Sequence, residues 1–507
     1  MKYTPAFAFT LTALAPIYAH AASVYSGCAV PALKSTHHTF YVDPVNGSLS
    51  GDGSASKPWS TLADVVNPAN KLISTQGHAG SKFNAGTDTA LHPANPTAPI
   101  KAGDLILLKS GNHGSPTVTN MYNSDFITVA AAPGATPVVD KMAIISSGKW
   151  MFQGLKFQGL ATTATGAKTA SPSPLSLVTA GRGDWEGLTT DIVFSDNSFS
   201  AADSTSGWNS YDWINKPFSI GLWAAVSCVS TVDNHFYNLL NAAYVSAGKN
   251  LFQGNLIEAF SNDGLDIQGS DLLIKGNTIK GGVNSAADPY HADGIQGWSA
   301  ISNGVAATNS NVVIDGNILT KTGSGATSYM QGISIFDGKW TGLVIQNNVV
   351  NVDTWHGIAV FGAQNSRIIN NTVIASDPAA QPSWITVQNA KDGTVSSGVV
   401  VRNNIATQYV VQDSNTTFDH NIAALKITIP VSGKSTVFTS GTVGTANAVL
   451  PTVLAGFMTL NTTAGSFDER LRSSSPAIGF GSPSAAPALD ILGKARTAPV
   501  DAGAYVH

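Results

Sequence analysis

Phe252-Gln253-Gly254-Asn255-Leu256-Ile257 and Ile274-Lys275-Gly276-Asn277-Thr278-Ile279 are two copies of one short pattern. An apolar residue and any residue are followed by Gly, Asn or Asp, then Asn, any residue and an apolar residue. Further copies occupy Ile314 to Leu319, Ile345 to Val350, Ile368 to Val373 and Val401 to Ala406, and looser ones surround Asn197 and Asn234. The Asn column reads 197, 234, 255, 277, 317, 348, 371 and 404, with tightest steps of 21, 22 and 23 and longer steps of 31 to 40. A period near 22 fits one coil of three short strands and three turns, and the longer steps are coils carrying inserted loops. Asn side chains repeated once per coil can bond up and down a ladder at the strand spacing of about 4.8 Å. The pattern therefore predicts an all-β fold, a right-handed parallel β-helix.

A second strand recurs between the Asn columns: Asp263-Gly264-Leu265-Asp266-Ile267, Asp293-Gly294-Ile295-Gln296, Gln331-Gly332-Ile333-Ser334-Ile335 and His356-Gly357-Ile358-Ala359-Val360. Alternation sends Leu265, Ile295, Ile333 and Ile358 to the core and the intervening side chains outward. The composition agrees with this reading. Of 507 residues, 49 are Gly and only Glu186, Glu258 and Glu469 are Glu, which suits turns and strands better than helices. A length that would ordinarily suggest three domains fits one solenoid, because each coil packs only on its neighbours. Regular coils are expected over about 117–425 and an irregular β segment over about 426–507. A short helix around Ser60 to Val66 is expected to cap the N-terminal end.

Residues 1–21 read as a secretory signal, with Lys2, an apolar stretch from Phe7 to Ile17 and an Ala19-His20-Ala21 cleavage site. No later run is apolar enough to span a membrane. The expectation is a secreted or periplasmic monomer formed by residues 22–507. Tyr25-Ser26-Gly27-Cys28 only loosely resembles a lipidation site, because Tyr fits poorly there and the apolar run is too distant. Cys28 and Cys228, the two cysteines, can pair in an oxidising compartment; otherwise Cys228 is a small buried hydrophobe. A net charge of −4 provides no basic stripe for nucleic acid.

Phe40-Tyr41-Val42-Asp43-Pro44, Gly51-Asp52-Gly53 and Lys57-Pro58-Trp59 resemble the opening of pectate-lyase-like secreted β-helix proteins. Phe467-Asp468-Glu469-Arg470-Leu471, Ser475-Pro476-Ala477-Ile478 and Asp501-Ala502-Gly503-Ala504-Tyr505 resemble their closing segment. The resemblance implies the fold and a polysaccharide partner. It does not choose among lyase, hydrolase and epimerase.

Aligning the second strand on its Gly gives one column of Asp263, Asp293, Gln331 and His356 and another of Asp266, Gln296, Ser334 and Ala359. Neighbouring carboxylates at strand spacing repel, so they must share a proton or a cation. Asp263, Asp266 and Asp293 are the candidate ligands for Ca²⁺, which favours several oxygen donors. Each Asp alone could equally be a turn residue capping backbone amides. Asp288-Pro289-Tyr290-His291-Ala292-Asp293 gathers a phenol, an imidazole and a carboxylate, and loosely resembles an alginate epimerase signature in a different order.

Candidate catalytic groups are thus His291, Asp293, Asp263, His356, Tyr290 and Lys339. Candidate substrate contacts are Gln296, Gln331, Trp298, Tyr329, Trp340, Trp355 and Arg367, since aromatic faces stack on sugars. Three functions follow from these groups. A lyase would cleave a uronic-acid polysaccharide by β-elimination, with His291 preferred as base. A glycoside hydrolase would use the paired Asp residues as acid and base. A non-catalytic carbohydrate-binding adhesin would need no convergent carboxylate–imidazole group.

Overall fold

The computed structural model describes residues 28, 38–79, 90–159, 175–181, 187–209, 212–215, 220–283, 291–302, 305–321, 330–375, 382–412, 415–444, 446–461 and 466–507. The expected signal segment, Tyr290 and Tyr329 lie outside them.

The coil from 251 to 273 shows how the repeat folds. Strand Leu251–Gln253 ends at Gly254, the chain turns at Asn255, and strand Leu256–Phe260 follows. A second bend leads into Asp263–Ile267, and a third returns the chain to Leu273–Lys275, beside the strand where it began. Each strand pairs in parallel with its counterpart one coil away. Repetition builds a right-handed parallel β-helix, in keeping with the handedness of parallel crossovers.

Three faces result. The first runs from Thr39–Val42 through Leu105–Leu108 to Thr417–Asp419. The second carries the strands after the Asn column, and the third carries the Asp-Gly strands. Parallel pairing thus starts well before residue 117, because Thr39–Val42 lies beside Leu105–Leu108.

The turn chemistry explains the sequence pattern. The residue before each ladder Asn has left-handed backbone, with φ of 67° at Gly254, 62° at Gly276, 54° at Asn347 and Asn370, and 55° at Asp233. Gly, Asn and Asp tolerate that conformation. The following Asn is buried and bonds to the next coil. Asn255 donates both its backbone N–H and its Nδ2 to Asn277 Oδ1, at 2.9 and 3.0 Å. Asn277 treats Asn317 the same way, and the ladder continues through Asn348, Asn371 and Asn404. It extends two coils beyond the expected column, to Asn421 and Asn447.

Inward side chains stack in columns, one per face. Phe252, Ile274, Ile314, Ile345 and Ile368 fill the first, Phe236, Ile257, Ile279, Leu319 and Val350 the second, and Leu265, Ile295, Ile333, Ile358 and Ile385 the third. All belong to one core cluster. At the N-terminal end, helix Leu62–Val65 is capped by the Thr61 side chain and buries Leu62 and Val65 against that cluster. Cys28 and Cys228 form a disulfide with α-carbons 5.3 Å apart. No helix among the described residues is long and apolar enough to cross a membrane.

Candidate active site on the third face

The registers of the third face set its chemistry. Asp263 pairs with Asp293 and Asp266 with Gln296; one coil on, Asp293 pairs with Gln331 and Gln296 with Ser334. Glycines at the bend allow the coils to stack this closely. A Cβ on Gly264 would sit 2.7 Å from Gly294 O, and one on Gly332 would sit 2.1 Å from Gly357 O. In these coils the Asp-Gly, Gln-Gly and His-Gly pairs therefore mark a corner where an added Cβ would meet the next coil.

Asp263, Asp266 and Asp293 all lie beneath the surface, with 4%, 1% and 0% exposure. Asn241, on the preceding coil, joins the first two: its Nδ2 lies 3.3 Å from Asp263 Oδ2 and 2.9 Å from Asp266 Oδ2. Asp263 Oδ1 accepts the backbone N–H of Asp293 at 3.1 Å. Burial raises the pKa of Asp263 well above the ordinary carboxylate range, and the charges of Asp266 and Asp293 push it further. Burial pushes Asp266 up to about 8, against the hydrogen bonds of Asn241, Asp263 and Tyr244. Asp266 Oδ1 is buried without a conventional donor. Burial and mutual repulsion thus favour the neutral form of both carboxyls, which titrate as a pair.

Asp293 is arranged differently. Its Oδ1 accepts the Ser334 hydroxyl at 2.6 Å, and its Oδ2 accepts Gln296 Nε2 at 3.3 Å. His291 Nδ1 lies 2.9 Å from Oδ2, and the imidazole is 48% exposed. Burial raises Asp293, while His291 and Ser334 hold it down. The same contact raises His291, with burial and Lys391 opposing it. The result is a half-exposed imidazole whose Nδ1 faces a buried carboxylate.

These carboxylates do not fit the expected Ca²⁺ cage. Both oxygens of Asp293 are already bonded, Asp263 accepts a backbone N–H, and all three groups are nearly sealed. Among the described residues, no three His, Cys, Asp or Glu groups are arranged to hold a metal ion.

The other candidates separate by placement. His356 is clamped among Phe336, Phe361 and Trp384, and its Nδ1 accepts the Trp384 indole N–H at 3.1 Å. Burial, with His291 adding to it, lowers its pKa to about 4, so it is neutral at pH 7. Gln331 is buried, with its Oε1 3.3 Å from Ser334 Oγ. Trp355 is exposed and stacks on Trp384, and Trp298 meets Tyr244 edge-on.

Two expectations of contact fail on placement. Trp340 is a core residue with 1% exposure, its indole bonded to Asp337 O, so it does not line a surface. Arg367 lies on the first face, between Val344 and Val400, away from the carboxylates. Lys339 is exposed on a small separate sheet, where its charge acts on Asp392. Asn241, Trp223 and Tyr244, all near the carboxylates in register, were not anticipated.

Residues 219–380 match the family described as the right-handed β-helix region. No curated protein matches the chain in sequence. Among solved structures, the chain is similar to pectate lyase Pel9A at 16% identity, covering 93% of this chain and 96% of that one, with a TM-score of 0.47. It is similar to the GH136 lacto-N-biosidase of Eubacterium ramulus at 12% identity, covering 75% and 67%, with a TM-score of 0.41. It is also similar to the mannuronan C-5 epimerase AlgE4 A-module of Azotobacter vinelandii at 13%, covering 66% and 91%, with a TM-score of 0.38.

Proposed function

We propose that the chain is a carbohydrate-active enzyme that cleaves a uronic-acid-containing polysaccharide by β-elimination, with His291 as the base. The observation carrying this reading is the half-exposed imidazole 2.9 Å from the fully buried Asp293. A carboxylate that holds the Nδ1 proton leaves Nε2 of the neutral imidazole able to accept one. In the reaction His291 takes the proton on the carbon next to the sugar carboxylate. Its electron pair forms the new C=C bond, the neighbouring C–O glycosidic bond breaks, and the leaving oxygen takes a proton from the imidazolium or from water.

The charge state suits an anionic substrate. Near pH 7 Asp266 keeps its proton, and burial favours the neutral form of Asp263 as well. Two of the three carboxyls therefore add little negative charge facing a uronate. Lys391, which is 73% exposed, acts electrostatically on His291 and lies 3.7 Å from the exposed Asp337 carboxylate, is a cation that could exchange that surface pair for the sugar carboxylate.

A glycoside hydrolase is the second reading, favoured by the raised pKa of Asp263 and Asp266, since a general acid must hold its proton. Their near-complete burial counts against direct contact with a glycosidic oxygen. The experiment is incubation with uronic polymers, following absorbance near the ultraviolet edge. β-Elimination raises it as reducing ends appear. Reducing ends without that absorbance would overturn the lyase reading in favour of hydrolysis.

A further inference from the structure

The outward column that contains Asp266 continues toward the N-terminus as Tyr244 and then Trp223. Trp223 lies on strand Ile220–Ala224, whose burial pattern leaves only that side chain exposed. Its ring stacks on Tyr244, with centroids 4.6 Å apart and an interplanar angle of 27°. Trp298 closes on the other edge of Tyr244 at 6.2 Å. The Tyr244 hydroxyl is also a hydrogen-bonding neighbour of Asp266. One aromatic surface is thus continuous with the carboxyl cluster.

Exposure makes this placement informative. Among the described residues two tryptophans are exposed, Trp223 at 38% and Trp355 at 55%. They lie on either side of the carboxylates along the stack. Register counts five coil steps from Trp223 to Ala359, about 24 Å along the axis at the strand spacing, and Trp355 lies four residues before Ala359, displaced across the face by about 13 Å. A tryptophan left in water on a regular strand costs apolar exposure that a core position would avoid, and a flat indole is suited to the C–H face of a pyranose ring.

We infer that Trp223, braced by Tyr244, forms a sugar-stacking subsite two coils from Asp266, so that a polysaccharide lies along the helix axis between Trp223 and Trp355. This inference rests on the carbohydrate reading above and adds the direction of the chain and a residue that grips it. The polymer crosses strands rather than following one, passing His291 midway. Trp223 binds a unit remote from the bond that breaks, so it contributes to affinity and not to the chemical step.

The test is calorimetric titration of the full chain carrying His291→Ala, which keeps the probe intact. The probes are polygalacturonate, alginate and, as a neutral control, xylan. Added Trp223→Ala is expected to weaken binding of whichever polymer the parent binds by about tenfold, and Trp223→Phe by less than about threefold. In the protein with His291 restored, Trp223→Ala should raise KM and leave kcat unchanged. If the parent binds a uronic polymer and Trp223→Ala binds it equally well, the subsite is overturned while the functional reading stands. If only xylan binds, and Trp223→Ala weakens it tenfold, the subsite stands and the uronate reading falls. Binding of none of the three by the parent overturns both.

Discussion

Asp266→Asn should stabilise this protein at neutral pH, even though it removes a buried hydrogen-bonded side chain. Asp266 has a folded-state pKa of about 8 against an ordinary value of 3.8. Between those values the native state keeps a proton that the unfolded chain has lost, so stability falls as pH rises through the window and levels off above about 8. Each pH unit is worth about 1.4 kcal/mol, and at pH 7 the accumulated cost is on the order of 4 kcal/mol. Coupling to Asp263 and Asp293 makes that an upper bound. Asn has no such proton to hold. Its carbonyl can accept from Asn241 as Asp266 Oδ2 does at 2.9 Å, and its NH₂ can donate toward Asp263. Urea unfolding at pH 4, 5, 6, 7 and 8 gives the answer. The variant and the parent should differ little at pH 4, and the gap should widen toward pH 8 in favour of the variant. The same change should abolish any weakening of uronate binding above about pH 8, where ionised Asp266 repels the polymer. Parallel stability curves across the range would show that Asp266 does not carry the proton assigned to it, and the charge argument for an anionic substrate would fall with it.

The remaining expectations are more direct. His291→Ala should lower turnover by about 10²- to 10⁴-fold, the usual range for a lost general base. Asp293→Asn should move the acid limb of kcat/KM to lower pH, because Asp293 is what raises His291 above its ordinary 6.5; an unmoved limb would exclude His291 as the group titrating there. A chelator should leave both turnover and unfolding temperature unchanged, whereas loss restored by added Ca²⁺ would contradict the neutral form assigned to Asp263 and Asp266. Asn277→Ala leaves two donors of Asn255 without their acceptor and should cost about 2–4 kcal/mol in denaturant unfolding.

The fold was legible because two separate constraints left marks in each coil. The left-handed residue before each ladder Asn favours Gly, Asn or Asp, and the Asn itself must bond to the next coil. Where one mark is altered the signal fades: His420 takes the left-handed position, with φ of 53°, before Asn421, and that copy escaped the pattern. The carboxyl cluster was legible for a similar reason. The close approach of Gly264, Gly294 and Gly332 fixes the register, so Asp263 could be placed beside Asp293 from spacing alone. Whether those carboxylates faced a cation or a shared proton was not legible, since that depends on burial and on Asn241. Asn241 begins a strand with Ala242 in the Gly position, so nothing in its sequence ties it to the Asp-Gly column. Trp223 was hidden further back, where long insertions obscure the period. Arg367 is the opposite case. It sits three residues before the left-handed Asn370, immediately ahead of a copy of the Asn pattern, and that position assigns it to the first face. On the strands that flank the ladder, a residue's distance from its Asn therefore selects its face. Asp263, eight residues after Asn255, and Gln331, fourteen after Asn317, meet on one face only because the loop between strands varies in length. Turn-anchored register is fixed by backbone sterics, but loop length is not, and that is why the strand immediately after each Asn was easier to place than the one bearing the chemistry.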